Sequence, residues 1–191
     1  MRDDPHLVEG VEVDRAALGP ETQAQHPLVA HAHAQLRRGV ADGLHEGLDP
    51  AAPPERLRLP AGKPVATRAV LGEALGHLNG LSGGAIMGCA ADLLGSTSVS
   101  TLNAGFPAGF HHRKRNPGSR LAPVGGICED AMGAVMAGLS SFGWHIGVTS
   151  SYSAFIAPLE HVAARLHVIG QESRRHKTGE PARTWIMVNA H

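Results

Sequence analysis

Ala85-Ile86-Met87-Gly88-Cys89-Ala90 is a short, unbroken apolar run with Gly83-Gly84 before it and Asp92 just beyond it. A run of this kind reads as a strand buried on both faces, as happens where helices cover both sides of a parallel sheet. Its neighbours support that reading. Leu71, Ala74, Leu75 and Leu78 recur at helical spacing ahead of it, and Asn79-Gly80 is expected to close that helix. After it come an apolar segment at Leu121 to Val124, a helical pattern from Glu129 to Phe142 with Met132, Val135, Met136 and Leu139 on one face, and a strand pattern from Trp144 to Thr149. A helix over 154–169 and a strand from Arg183 to Val188 complete the series. Alternating strands and helices predict an α/β domain with a parallel sheet. Ligands of such sheets bind at the carboxyl ends of strands, where Asp92, Glu129 and Ser150/Ser151 all fall.

Before residue 64 the pattern is different. Leu28, Ala32, Leu36, Val40, Leu44 and Leu48 recur every fourth position, and a proline-rich stretch, Asp49-Pro50-Ala51-Ala52-Pro53-Pro54, follows. Gly39, Gly43 and Gly47 weaken that helix by about 1 kcal/mol each relative to alanine. Residues 1–63 are therefore expected to form a helical docking arm and an extended linker. Residues 64–191 are expected to form the folded unit.

Charge and cysteine usage narrow the function. Seventeen basic and seventeen acidic residues cancel, so no global field steers the chain toward nucleic acid or an anionic membrane. No apolar run approaches membrane-spanning length, and the opening Met1-Arg2-Asp3-Asp4-Pro5-His6 lacks the features of a secretory signal. A soluble cytoplasmic protein is expected. Two cysteines, Cys89 and Cys128, make no disulfide framework and are expected as buried thiols. The pairs His31/His33 and His111/His112 lack a Cys or carboxylate at ligand spacing, so no metal site is assigned. Gly80-Leu81-Ser82-Gly83-Gly84 matches a hydrolase elbow as a string, but its context is reversed, with a helix before it and a strand after. The cations of His111-His112-Arg113-Lys114-Arg115 lie in a polar loop from Gly95 to Arg120 and read as a solvated face. A loop of that length in a compact domain is usually functional or mobile.

The segment Gly125-Gly126-Ile127-Cys128-Glu129-Asp130-Ala131-Met132-Gly133 places a carboxylate where a strand gives way to a helix. Position alone makes Glu129 an ionised first-turn acid. Its companions add to this. Ala66-Thr67-Arg68, Ala90-Ala91-Asp92-Leu93-Leu94-Gly95-Ser96, the Glu129 segment and Tyr152-Ser153-Ala154-Phe155, in that order, resemble the pyrimidine-binding domain of the transketolase family. The resemblance spans about residues 64–191. It implies a three-layer parallel α/β unit that holds the aminopyrimidine ring of thiamine diphosphate, with a companion domain, usually on another subunit, holding the diphosphate and Mg²⁺.

The resemblance makes Glu129 the catalytic glutamate that hydrogen-bonds the ring nitrogen and promotes formation of the cofactor ylid, a role that requires a carboxyl shielded from water. It places Tyr152 and Phe155 against the pyrimidine, and Asp92 in the cofactor and substrate cleft. Arg68 and Ser96 fall at phosphate-binding positions and His191 at a substrate-contacting one, so the implied substrates are sugar phosphates exchanging a two-carbon ketol unit. Cys128 and Asp130 stand where the family more often carries Arg and His. The diphosphate motifs and the acidic Gly-rich loop after the last strand are missing, so the unit is expected to be incomplete at its carboxyl end. It is expected to work as a homo- or hetero-oligomer with a diphosphate-binding domain. Two alternatives stay open: a sister enzyme such as a deoxyxylulose phosphate synthase or a 2-oxoacid dehydrogenase component, and a non-catalytic or truncated α/β module that serves as an assembly partner.

Overall fold

The computed structural model describes residues 52–142, 145–179 and 184–190. The arm pattern at 28–48 and His191 lie outside them. Residues 52–66 are largely exposed and carry only a short 3-10 turn, Glu55–Leu57. Helix α1 (Thr67–Leu81) leads to strand β1 (Ile86–Ala90), and helix α2 (Glu129–Phe142) precedes β2 (Ile146–Tyr152). A helical run made of α3 (Ala157–Val162), a π-helical stretch (Ala163–Ile169) and α4 (Gly170–Thr178) comes before β3 (Trp185–Ala190). The three strands pair in parallel in the order β1-β2-β3. The protein is thus α/β with a small open parallel sheet.

Successive strand residues face opposite sides of a sheet, and both sides are apolar here. On one, Ile86, Val148 and Val188 pack with Leu75 of α1 and with Val99 and Leu102 of a 3-10 helix, Val99–Asn103. On the other, Cys89 and Ala91 pack with Met132 and Met136 of α2 and Leu159 of α3. Every residue of β1 is buried in consequence. The layers come close enough to need glycine in both directions. A Cβ at Gly88 would collide with the Leu102 side chain, and one at Gly147 would strike the Met136 carbonyl oxygen.

Asn79, fully buried in the last turn of α1, ties these parts together. Its Nδ2 donates to the Leu102 carbonyl at 2.7 Å, and its Oδ1 accepts the Ile86 N–H at 2.7 Å. One side chain thereby joins α1, the 3-10 helix and the first residue of β1. The helix does not close at Asn79-Gly80 as the sequence suggests: it runs to Leu81, with Ser82 as its cap and Gly83 and Gly84 at positive φ. The Ser82 hydroxyl donates to the Asn79 carbonyl and accepts the Ala85 N–H, which makes it a turn residue rather than a nucleophile.

Four further expectations are corrected. Of the strand expected at Leu121–Val124, only Leu121 pairs, through an isolated parallel bridge to Gly88. The Gly88 N–H donates to the Arg120 carbonyl and the Ala122 N–H to the Gly88 carbonyl, and the ladder goes no further. The helix expected over 154–169 starts at Ala157, after a 3-10 turn at Ser153–Phe155, and continues to Thr178. It stops at Gly179, whose φ of 69° terminates the helix without a Cβ clash. Val135 is exposed although Met132 and Met136 on the same helix are buried. Cys128 is exposed, in the turn that opens α2, whereas Cys89 is buried and its thiol is pushed up to about 12 by that burial.

The amino ends of the strands carry a cluster of cations. The Arg120 guanidinium stacks 4.9 Å from the Phe106 ring centre and donates to the Gly118 carbonyl at 2.9 Å. His145, at the entry to β2, is pushed down to about 4 from 6.5, first by burial and then by the charges of Arg120 and His111. Below pH 6.5 the unfolded chain takes up a proton that native His145 refuses, so stability falls as pH drops from 6.5 toward 4. The partly exposed ring tempers the loss to about 1–2 kcal/mol. Urea unfolding at pH 7 and pH 4.5 should show this loss in the wild type and a smaller one in His145→Gln. At neutral pH, Asn79→Ala orphans a buried N–H and a buried carbonyl together and should lower the unfolding free energy by about 3 kcal/mol, read from the same denaturation curves.

Candidate functional site

The connection leaving β1 reaches Leu121 on one side of that strand, whereas β2 pairs on the other side. A crevice opens at the carboxyl end of β1, between it and the segment after Leu121, the kind of position where ligands of open α/β sheets bind. A cavity of about 530 Å³ lies there, lined by Asp92, Leu94, Phe110, Val124, Gly126 and Ile127 among others. Its walls are mainly apolar. Asp92 supplies a carboxylate from an unusual backbone position: φ is 62°, in the left-handed region, directly after a fully buried strand. That conformation costs a non-glycine residue on the order of 1 kcal/mol and is common at functional sites.

The Gly125-Gly126 turn, with Gly125 at a φ of 82°, carries the chain from this crevice to α2. Glu129 and Asp130 occupy the first turn of that helix, where the exposed N–H groups favour negative charge. Glu129 is half-buried, and its Oε1 accepts a hydrogen bond at 3.0 Å from the hydroxyl of Ser151. Ser151 is itself fully buried near the end of β2. The alternation of β2 separates its hydroxyls. Ser151 faces α2, whereas Ser150 faces the other way and pairs with the Thr97 hydroxyl at 2.8 Å. Thr97 in turn donates to the Leu93 carbonyl at 2.7 Å, bracing the turn that holds Asp92.

Arg68 lies elsewhere. It lines a second cavity of about 350 Å³ with Ala66, Thr67, Leu71 and the β3 residues Val188, Asn189 and Ala190. Ser96 does not join it: exposed, with its hydroxyl donating to the Leu93 carbonyl at 3.3 Å, it sits beside Gly95 of the Asp92 crevice. Arg68 thus lines a cavity that Ser96 does not. Tyr152 is half-buried at the end of β2, in register with Ala190 of the Arg68 pocket. Phe155 follows in the 3-10 turn and is 52% exposed. An apolar ring so open is free to cover a bound group.

Ser151, Asn189, Phe110 and Ile127 were not singled out from the sequence as site residues, although Ser151 was placed at a strand end. Period-two alternation along β2 indicates that Ser150 and Ser151 point to opposite faces. Nothing in the sequence says which face meets Glu129. Ile127 is 74% exposed, an apolar side chain left open at the cavity rim.

Among the described residues, no group of three or more His, Cys, Asp and Glu side chains could hold a metal ion, and no helix is long and apolar enough to cross a membrane. His112 has a local structural role: its Nδ1 accepts the backbone N–H groups of Lys114 and Arg115. No protein-family model matches the chain, nor does any curated protein. The backbone at Asp92 offers a direct test of whether stability has been given up at the crevice. Asp92→Gly should raise the unfolding free energy by about 1 kcal/mol through relief of the left-handed strain, as measured by thermal and urea denaturation.

Proposed function

We propose that this chain is the pyrimidine-binding part of a transketolase-like enzyme, a cytoplasmic transferase that moves a two-carbon ketol unit between sugar phosphates and requires thiamine diphosphate. The observation that carries this reading is the Glu129–Ser151 hydrogen bond at the carboxyl edge of the sheet, next to the Asp92 crevice. A carboxylate with one oxygen held by a buried hydroxyl keeps its second oxygen in a defined direction. That arrangement suits a group whose task is to share a proton with a ring nitrogen. The two-sided burial of the sheet is compatible with the three-layer domain of the thiamine-diphosphate enzymes.

The division of labour follows from what the chain contains. Thiamine diphosphate, when bound, supplies the carbon nucleophile that the side chains lack. Glu129 holds the proton of the pyrimidine nitrogen, and Ser151 fixes its rotamer. Tyr152 and Phe155 cover the ring and exclude water, and Asp92 presents a carboxylate to the polar end of the crevice. Arg68 binds a phosphate by paired N–H donors. The diphosphate and Mg²⁺ are assigned to a companion domain, so activity is expected of an oligomer, either of copies or of two kinds of chain.

Reconstitution with a chain that binds the diphosphate tests the reading. Calorimetry should show thiamine diphosphate binding in the presence of Mg²⁺, and a ketose phosphate with an aldose acceptor should turn over. Glu129→Gln should lower kcat by about 100-fold or more, in the range of lost general acid–base assistance, with cofactor binding retained. Unimpaired turnover by Glu129→Gln would refute the role. Turnover of pyruvate alone would move the protein to a sister enzyme.

A further inference from the structure

The formal charge of zero conceals a division along the chain. Residues 1–51 carry nine acidic and four basic residues, whereas residues 52–191 carry eight acidic and thirteen basic. Within each part the excess is concentrated again. Residues 3–14 hold five acids and no Lys or Arg. No acid at all occurs between Asp92 and Glu129, the stretch that holds Arg113, Lys114, Arg115 and Arg120.

Arg113, Lys114 and Arg115 lie on a turn that is closed by hydrogen bonds. The His112 N–H donates to the Asn116 carbonyl at 3.1 Å, and the Asn116 N–H donates to the His112 carbonyl at 2.9 Å. Inside the turn, His112 Nδ1 accepts the N–H groups of Lys114 and Arg115 at 3.2 and 3.1 Å. Behind it, the Asn116 amide donates to the carbonyls of Ala108 and Phe110. The backbone under the three cations is thereby fixed, so an anion that meets them orders little more than their side chains. All three are exposed, and none forms an ion pair among the described residues. Three like charges at adjacent positions repel one another, and an acidic segment laid across them relieves that repulsion.

We propose that residues 3–14 of this chain dock on the Arg113-Lys114-Arg115 turn. Fifty-two residues, 15–66, separate that segment from α1. Even at the rise of a helix they span about 80 Å, against about 40 Å for the diameter of a domain of this size. The segment can therefore reach the turn. An exposed ion pair is weak by itself, but a tethered partner acts at a roughly millimolar effective concentration and prevails over dilute free anions. Charge sets the choice of surface, since the loop that carries the turn offers cations and no acid to repel the segment.

Amide NMR spectra of the full chain test the docking. Raising the salt to about 1 M, where screening acts within about 3 Å, should shift the signals of residues 113–115 together with those of 3–14. Asp3→Asn, Asp4→Asn, Glu9→Gln, Glu12→Gln and Asp14→Asn in one chain should bring the turn's signals to their high-salt positions already at low salt. Arg113→Glu, Lys114→Glu and Arg115→Glu should release the signals of 3–14 in the same way. Adding Asp3→Lys, Asp4→Lys, Glu9→Lys, Glu12→Lys and Asp14→Lys to that variant should restore the coupled salt response. Unchanged signals of the three strands report that the fold is kept. Turn signals that ignore neutralisation of residues 3–14 overturn the inference. If a single-stranded RNA oligonucleotide then shifts them, the turn is a nucleic-acid surface instead. Coupled shifts should persist on about tenfold dilution, because a contact within one chain does not depend on concentration; shifts lost on dilution assign the contact to a neighbouring copy and overturn docking within the chain.

Discussion

The buried amide of Asn79 is the point from which the rest of the structure is positioned. Its two hydrogen bonds, to Leu102 and Ile86, connect a helix, a 3-10 helix and a strand whose own backbone ladders cannot reach one another. Placing β1 places the crevice, because Asp92 comes two residues after the strand ends and lines it. The glycines carry out the same constraint by a different means. Gly88 and Gly147 allow the two covering layers to approach the sheet from opposite sides, and an open sheet of three strands can then bury both of its faces.

Chemistry collects at the carboxyl edge for a geometric reason. Parallel strands end together on one side, so Asp92, Ser151, Tyr152 and Asn189 come from segments distant in sequence to one rim. The alternation of side chains then sorts them. Ser151 goes to the α2 face with Glu129, and Ser150 goes to the α1 face with Thr97. The opposite edge has another character. There Arg120 caps a carbonyl and His145 is kept neutral by burial and neighbouring cations, an arrangement that supports the fold and ties its stability to pH.

Much of the fold was legible because periodicity reports burial. The all-apolar run of β1 and the Met132/Met136 stripe of α2 were readable as elements with their buried sides. Glu129 at the start of α2 was readable from the Gly-Gly turn and the helix pattern behind it. What failed did so where tertiary contacts override local pattern. Leu121 to Val124 looks like a strand, yet pairs only once, at Leu121 with Gly88, before the chain turns into the Gly125-Gly126 segment. The Gly95–Arg120 stretch looks like a solvated loop, yet sends Val99 and Leu102 into the core, because a sheet face uncovered by α1 needed apolar atoms from somewhere. Arg68 and Ser96 carry no local mark of where they lie relative to each other, and only Arg68 lines the cavity beside β3.

The amino-acid order by itself determined the α/β class, the double burial of the first strand and the presence of carboxylates at strand-to-helix junctions, since these depend on near-neighbour spacing and hydrophobicity. Only the tertiary structure decided which hydroxyl holds Glu129 and that Arg68 and Asp92 occupy different cavities. Those facts depend on strand register and on the face each residue takes. Both are settled when distant segments pack against each other, because shifting a strand by one residue exchanges its two faces while leaving its local sequence pattern unchanged.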